Sequence, residues 1–259
     1  MTQTETTSPA LELRGLRRQF GDKVAVDDID LVVPRGSFFG LVGPNGAGKT
    51  TSLSMAVGLL RPTAGRAMVL GTDVWADPIG AKTALGVLPD GLALPERLTG
   101  GELLDYWGRL RGMPRAVVED RAAELLRILE LDEAERLGTV VLEYSTGMRK
   151  KIGLATALLH SPRVLVLDEP YEAVDPVSAR VLTSILRRFV AAGGSVVMSS
   201  HVMSLVEQLC DRVAIIARGR VLAAGTLAEV RGAGTLEDRF VSLVGERRLE
   251  EEDLTWLGS

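Results

Sequence analysis

The stretch Gly43-Pro-Asn-Gly-Ala-Gly-Lys-Thr50 constrains this chain more than any other. It fits G-x-x-x-x-G-K-[ST] in full and follows the apolar run Ser-Phe-Phe-Gly-Leu-Val. Glycines let successive backbone N–H groups turn inward around phosphate oxygens. A lysine at position 49 reaches the β and γ phosphates of a nucleotide, and the hydroxyl of Thr50 suits Mg²⁺. The next segment, Thr-Thr-Ser-Leu-Ser-Met-Ala-Val-Gly-Leu-Leu, repeats apolar residues at helical spacing. A helix N-terminus therefore points at the same anion. Strand, glycine loop and helix in this order predict an α/β fold with a buried strand feeding the loop.

The rest of the chain extends that pattern. Its 259 residues suffice for one sizeable domain with an inserted lobe. Residues 11–33 read as two strands around a Gly-Asp turn. "RAMVLG" and "ALGVLP" read as further strands, with "RPTAG" ending the preceding helix. Residues from about 92 to 155 turn helix-periodic and charged, an inserted helical lobe. Strand and helix then alternate through "RVLVLDEP", "PVSARVLTSILRRFVAAGG", "SVVMSS", "SLVEQLC" and "RVAIIARGRVLAAG", which predicts a parallel sheet flanked by helices. Residues 226–259 read as an acidic helical tail. Residues 1–10 are polar and read as a disordered tail.

Charge and cysteine usage exclude several classes. The net charge of −4 argues against a general nucleic-acid binder, which needs a basic face. Arg149, Lys150 and Lys151 read as a solvated helix face. Cys210 is the single cysteine, so no internal disulfide forms, and its apolar neighbours predict a buried structural thiol. No apolar run reaches the roughly 20 residues of a membrane helix. The chain is therefore expected to be soluble and cytoplasmic.

A second set of residues adds chemistry. "RVLVLDE" is a buried strand ending in Asp168 and Glu169. Unpaired buried charge is costly, so two acids there point to a task. Asp168 suits Mg²⁺, and Glu169 suits polarising an attacking water. His201 lies just past the "SVVMSS" strand, at the sheet edge where ligands bind in such folds. His160 lies at a helix end and reads as a cap without chemistry.

The order of these pieces resembles the nucleotide-binding subunit of ABC transporters, most like bacterial drug or antibiotic export cassettes. The likeness covers about residues 11–225. It implies a P-loop NTPase of RecA-like fold: a parallel sheet core, an N-terminal antiparallel β-subdomain and the inserted helical lobe. "YSTGM" corresponds to the family signature Leu-Ser-Gly-Gly-Gln, with Ser145 and Gly147 matching and Tyr144, Thr146 and Met148 departing. The resemblance implies that Ser145 and Gly147 contact the γ-phosphate of ATP held by an opposite cassette. It implies that Phe20 stacks on adenine, that the loop Gly43, Pro44, Asn45, Gly46, Ala47, Gly48, Lys49 and Thr50 holds the phosphates, and that Thr51 meets the α-phosphate. Glu169 and His201 are then catalytic, and Thr50, Asp168 and Asp90 face Mg²⁺. Asp90 stands where the family usually has Gln. Tyr171 and Glu172 depart from the family loop that holds Asp175, and the added acid predicts slow hydrolysis or dependence on a non-identical cassette.

The implied protein is an ATPase motor. It pairs head to tail with a second cassette, binds an integral membrane permease, and sits peripherally on the inner face of the plasma membrane without nucleic acid. A soluble ABC protein is the runner-up. An unrelated GTPase would need an Asn-Lys-x-Asp segment, which the sequence lacks.

Overall fold

The structure is a computed structural model and describes residues 8–245. The chain begins with β1 (Leu11–Phe20), β2 (Lys23–Val33), β3 (Phe38–Val42), α1 (Lys49–Ala56), β4 (Ala64–Val69) and β5 (Thr72–Asp73). There follow α2 (Pro78–Thr83), β6 (Leu85–Leu88), α3 (Gly100–Leu110), α4 (Arg115–Ile128), α5 (Asp132–Arg136) and α6 (Thr146–Leu158). The last part holds β7 (Val164–Leu167), α7 (Pro176–Ala191), β8 (Ser195–Ser200), α8 (Met203–Leu209), β9 (Arg212–Ala217), β10 (Arg220–Thr226), α9 (Leu227–Arg231) and α10 (Leu236–Val244).

These strands form two sheets. One is antiparallel, in the order β2-β1-β4-β5. The other runs β10-β9-β3-β8-β7-β6, parallel except for its β10 edge. The parallel strands are mostly apolar because both their faces are covered, with the buried serines of β8 as the main exception. Side chains alternate between two cores. Phe38, Val42, Leu165, Leu167, Val196 and Met198 join the core against α6, α8 and the lobe helices. Phe39, Leu41, Val164, Val166 and Val197 join the core under α1 and the antiparallel sheet. Burying one such side chain contributes about 1.5–3 kcal/mol. The lobe is α3 to α6. Its entry is fixed by a capping box in which Thr99 and Glu102 each accept a backbone N–H of the other.

Several expectations need correction. The first helix ends at Ala56, short of Leu60, because Gly58 turns left-handed at φ 75° and closes the turn. The "RPTAG" segment enters β4 within its own length. α2 lies outside the expected elements, although Asp77 caps it and Pro78 opens it, which is a start signal. The end of the expected disordered tail is held in place: the Ser8 carbonyl accepts the Arg35 Nε–H, and buried Ala10 donates its N–H to Val33 O at 2.9 Å. The predicted C-terminal helical tail is present as α9 and α10, each opened by a capping box. Its remainder from 246 to 259, with Trp256, lies outside the described residues, as do residues 1–7.

The basic triplet is not a solvated face. Helical rotation sends its members to three different neighbours. Arg149 donates to Val141 O and pairs with Glu96, while Lys151 is buried with its ammonium 3.1 Å from Glu130. Lys150 donates to the backbone carbonyl of Glu169. His160 does not cap its own helix. Its Nε2 donates to Leu85 O at 2.8 Å, tying the end of α6 to β6. Burial, with Arg111 and then Arg121 nearby, lowers its pKa to about 4 against one opposing hydrogen bond.

Candidate active site

Four neighbouring parallel strands, β3, β8, β7 and β6, deliver chemistry past the same edge. Gly43 follows β3, His201 follows β8, Asp168 and Glu169 follow β7, and Asp90 follows β6. Ligands bind outside the carboxyl ends of strands in such sheets. A cavity of about 600 Å³ opens there, a size typical of small-molecule sites. Phe20, the loop from Pro44 to Thr50, Thr51, Asp90, Glu169 and His201 line it, while Gly43, Asp168, Ser145 and Gly147 do not. Lys23, Glu172, Arg218 and Gly219 line it too.

The loop is shaped by close packing. A side chain on Gly43 would meet Ile216 O at 2.1 Å. Gly48 takes φ 105° and would meet Ala25 O at 2.6 Å. Only glycine fits these two positions. Ala47 N donates to Pro44 O at 3.1 Å, and Gly219 N donates to Ala47 O at 2.9 Å. The β9–β10 turn thus braces the loop from outside, a role that the sequence pattern did not reveal. α1 begins at Lys49 with no side-chain cap, which leaves its first N–H groups to face the cavity.

Lys49 is buried. Its ammonium donates to Gly43 O at 2.8 Å and lies 3.5 Å from Glu169 Oε1. The other carboxylate oxygen of Glu169 lies 3.1 Å from His201 Nδ1. Asp168 is buried and accepts the Ser199 hydroxyl, while Ser199 Oγ accepts the Glu169 N–H at 2.8 Å. Ser199 was missed from sequence; the signal was a hydroxyl inside a fully buried strand. Phe20 is half exposed, and the Arg18 guanidinium stands 4.5 Å from its ring centroid. That contact covers one face of the ring.

Thr50, Asp90 and Asp168 also line a smaller recess of about 30 Å³ beside α1. Two carboxylates and a hydroxyl are hard oxygen donors, which suits Mg²⁺ when phosphates supply the remaining ligands. Among the described residues no group of three or more His, Cys, Asp or Glu forms a metal cage. The oxygen donors of Thr50, Asp90 and Asp168 fit Mg²⁺. The Asp90 carboxylate meanwhile accepts the Gly91 N–H.

Ser145 and Gly147 do not join this cavity. Ser145 is exposed and accepts the Met148 N–H at 3.2 Å, capping α6. Gly147 packs beside Asp175 and Ser178. Asp175 caps α7 through the N–H groups of Val177 and Ser178, and hydrogen bonds led by that of Ser178 hold its pKa below the usual range. Tyr171 points away from the site to Thr183 Oγ1, at 3.0 Å. Its burial raises its pKa to about 12. Of the two loop departures, only Glu172 faces the cavity.

A phosphate loop, a buried Asp-Glu strand end and a histidine on one sheet edge define a P-loop nucleoside triphosphatase. The chain belongs to the ABC transporter family, whose profile matches residues 26–172. The daunorubicin/doxorubicin resistance ATP-binding protein DrrA of Streptomyces peucetius is 38% identical over 224 residues, 86% of this chain and 67% of that protein. The linearmycin resistance ATP-binding protein LnrL of Bacillus subtilis (strain 168) is 34% identical over 239 residues, 91% of this chain and 76% of that protein. A solved ATP-binding subunit of an ABC transporter superposes with a TM-score of 0.84 at 29% identity, covering 91% of this chain and all of that one. The protein is thus an ATP-binding subunit of an ABC transporter, and an ATPase. No helix among the described residues is long and apolar enough to cross a membrane.

Proposed function

We propose that this chain drives export of drug-like or antibiotic molecules through a separate membrane permease, working as one half of a head-to-tail cassette pair. The exporter reading is supported by two relatives whose names state resistance to such compounds. The pairing is carried by one observation: Ser145 is exposed and lies outside the cavity that the phosphate loop lines. Its hydroxyl and the α6 N-terminus form an anion-binding end that a second chain's nucleotide can meet. The permease holds the pair peripherally on the inner face of the plasma membrane.

Each residue then has a task. Phe20 stacks on adenine. Backbone N–H groups from Asn45 to Thr50 and the Lys49 ammonium hold the phosphates, with Thr51 at the α-phosphate. Thr50 and Asp168, with Asp90, would hold Mg²⁺, which neutralises phosphate charge when bound. Glu169 orients and polarises the attacking water, and His201 beside it contacts the γ-phosphate. Positioning and charge stabilisation supply most of the rate in such transfers. Glu172 adds negative charge at the cavity and slows turnover.

A tagged pull-down from detergent-solubilised membranes tests the reading. Stoichiometric recovery of a multi-span protein is the expected result. Recovery from the soluble fraction alone would refute the transporter motor.

A further inference from the structure

The peptide unit of Glu169 is gripped from two sides. Glu169 takes φ 46°, a left-handed conformation that residues other than glycine keep only where their surroundings hold it. Its N–H donates to Ser199 Oγ on β8. Its carbonyl accepts from Lys150 Nζ on α6 at 3.0 Å and from Glu172 N–H at 3.2 Å. Arg149 and Lys151 each find a carboxylate; Lys150, between them, goes to the Glu169 backbone instead. The same α6 carries Ser145 at its N-terminus.

We propose that Lys150 is a positioning residue for ATP hydrolysis: its ammonium holds the Glu169 carbonyl and, with Ser199, keeps the Glu169 carboxylate turned toward Lys49 and His201. The inference rests on the reading of Glu169 as the residue that polarises water. Lys150 lies little more than one turn into α6 from the Ser145 cap.

The test uses the full chain as wild type, Lys150→Met, Lys150→Arg, Glu169→Gln and the Lys150→Met/Glu169→Gln double variant. Readouts are kcat and KM for ATP, affinity for a fluorescent ATP analogue, and amide hydrogen exchange around residue 169. Lys150→Met is expected to lower kcat about 10-fold, a cost in keeping with small misplacement of a reacting group. Analogue affinity stays within about twofold, and amide exchange around Glu169 speeds up. Lys150→Arg recovers most of the loss. In the Glu169→Gln background, Lys150→Met adds no further loss, because both changes remove one function. A collapse in Glu169→Gln with Lys150→Met near wild type overturns the role of Lys150 alone. So does an equal Lys150→Met loss in both backgrounds, or lost analogue binding that arginine does not rescue. Wild-type turnover in Glu169→Gln overturns the reading of Glu169 and this inference together.

Discussion

Two helix N-termini in this molecule are suited to anions, and they are built differently. α1 starts from Gly48 at φ 105° with no side-chain cap, its first turn facing a cavity lined by the same chain. α6 starts from Ser145, whose hydroxyl already accepts the Met148 N–H, and this end is exposed. The first helix start gives up its own cap so that a ligand can supply it. The second is a finished helix end that offers a hydroxyl and remaining N–H groups outward. One is a cradle within its own chain; on the proposed reading, the other is half of a site. On the proposed reading, the missing half is the cradle of a second chain.

Gly48→Ala should break the cradle most severely. The added Cβ meets Ala25 O, and φ 105° is closed to alanine. Affinity for an ATP analogue should fall about 100-fold or more, equivalent to about 2.7 kcal/mol, read by fluorescence titration. Ser145 separates capping from phosphate contact. Ser145→Ala removes the cap and should cost about 1 kcal/mol of stability by denaturant unfolding. Ser145→Asp keeps a good cap but presents an anion to phosphate. It should unfold like wild type yet lose about 10-fold or more in turnover, while single-chain analogue binding stays unchanged. If Ser145→Asp turned over normally, α6 would be only a capped helix.

Smaller effects sharpen the contrast. The far end of α6 answers to pH through His160. Its folded pKa is lowered to about 4 from 6.5, chiefly by burial. The unfolded chain therefore binds the proton more readily. The stabilisation is present above pH 6.5 and is lost as pH falls toward 4. Thermal melts should show that slope, and His160→Gln should flatten it. Tyr171→Phe should cost about 1 kcal/mol for the hydrogen bond to Thr183 and leave turnover unchanged, because that side chain faces α7.

Legibility followed how local each signal was. The phosphate loop and the strand ending in Asp168 and Glu169 could be read because consecutive residues carry them. Both sheets were legible in outline for the same reason, since β1 to β3 and β7 to β9 are short apolar or alternating runs. Ser199, Gly219 and Lys150 could not be read. Each acts on a residue between 19 and 172 positions away, through a contact that only the folded chain creates. The basic triplet misled because a charge run looks solvated until helical rotation parts its members. Tyr171 and Glu172 looked alike as departures, and only their directions in space set them apart.

The central claim is that each chain carries one cradle and one half-site, so hydrolysis needs two chains. Mixing Lys49→Ala with Ser145→Asp tests it most directly. Each variant alone should be nearly inactive. In the mixture, half of the pairs should be hybrids with one intact site, so activity should return to about a quarter of wild type. A mixture as inactive as its parts, or full activity of Ser145→Asp alone, would contradict the account.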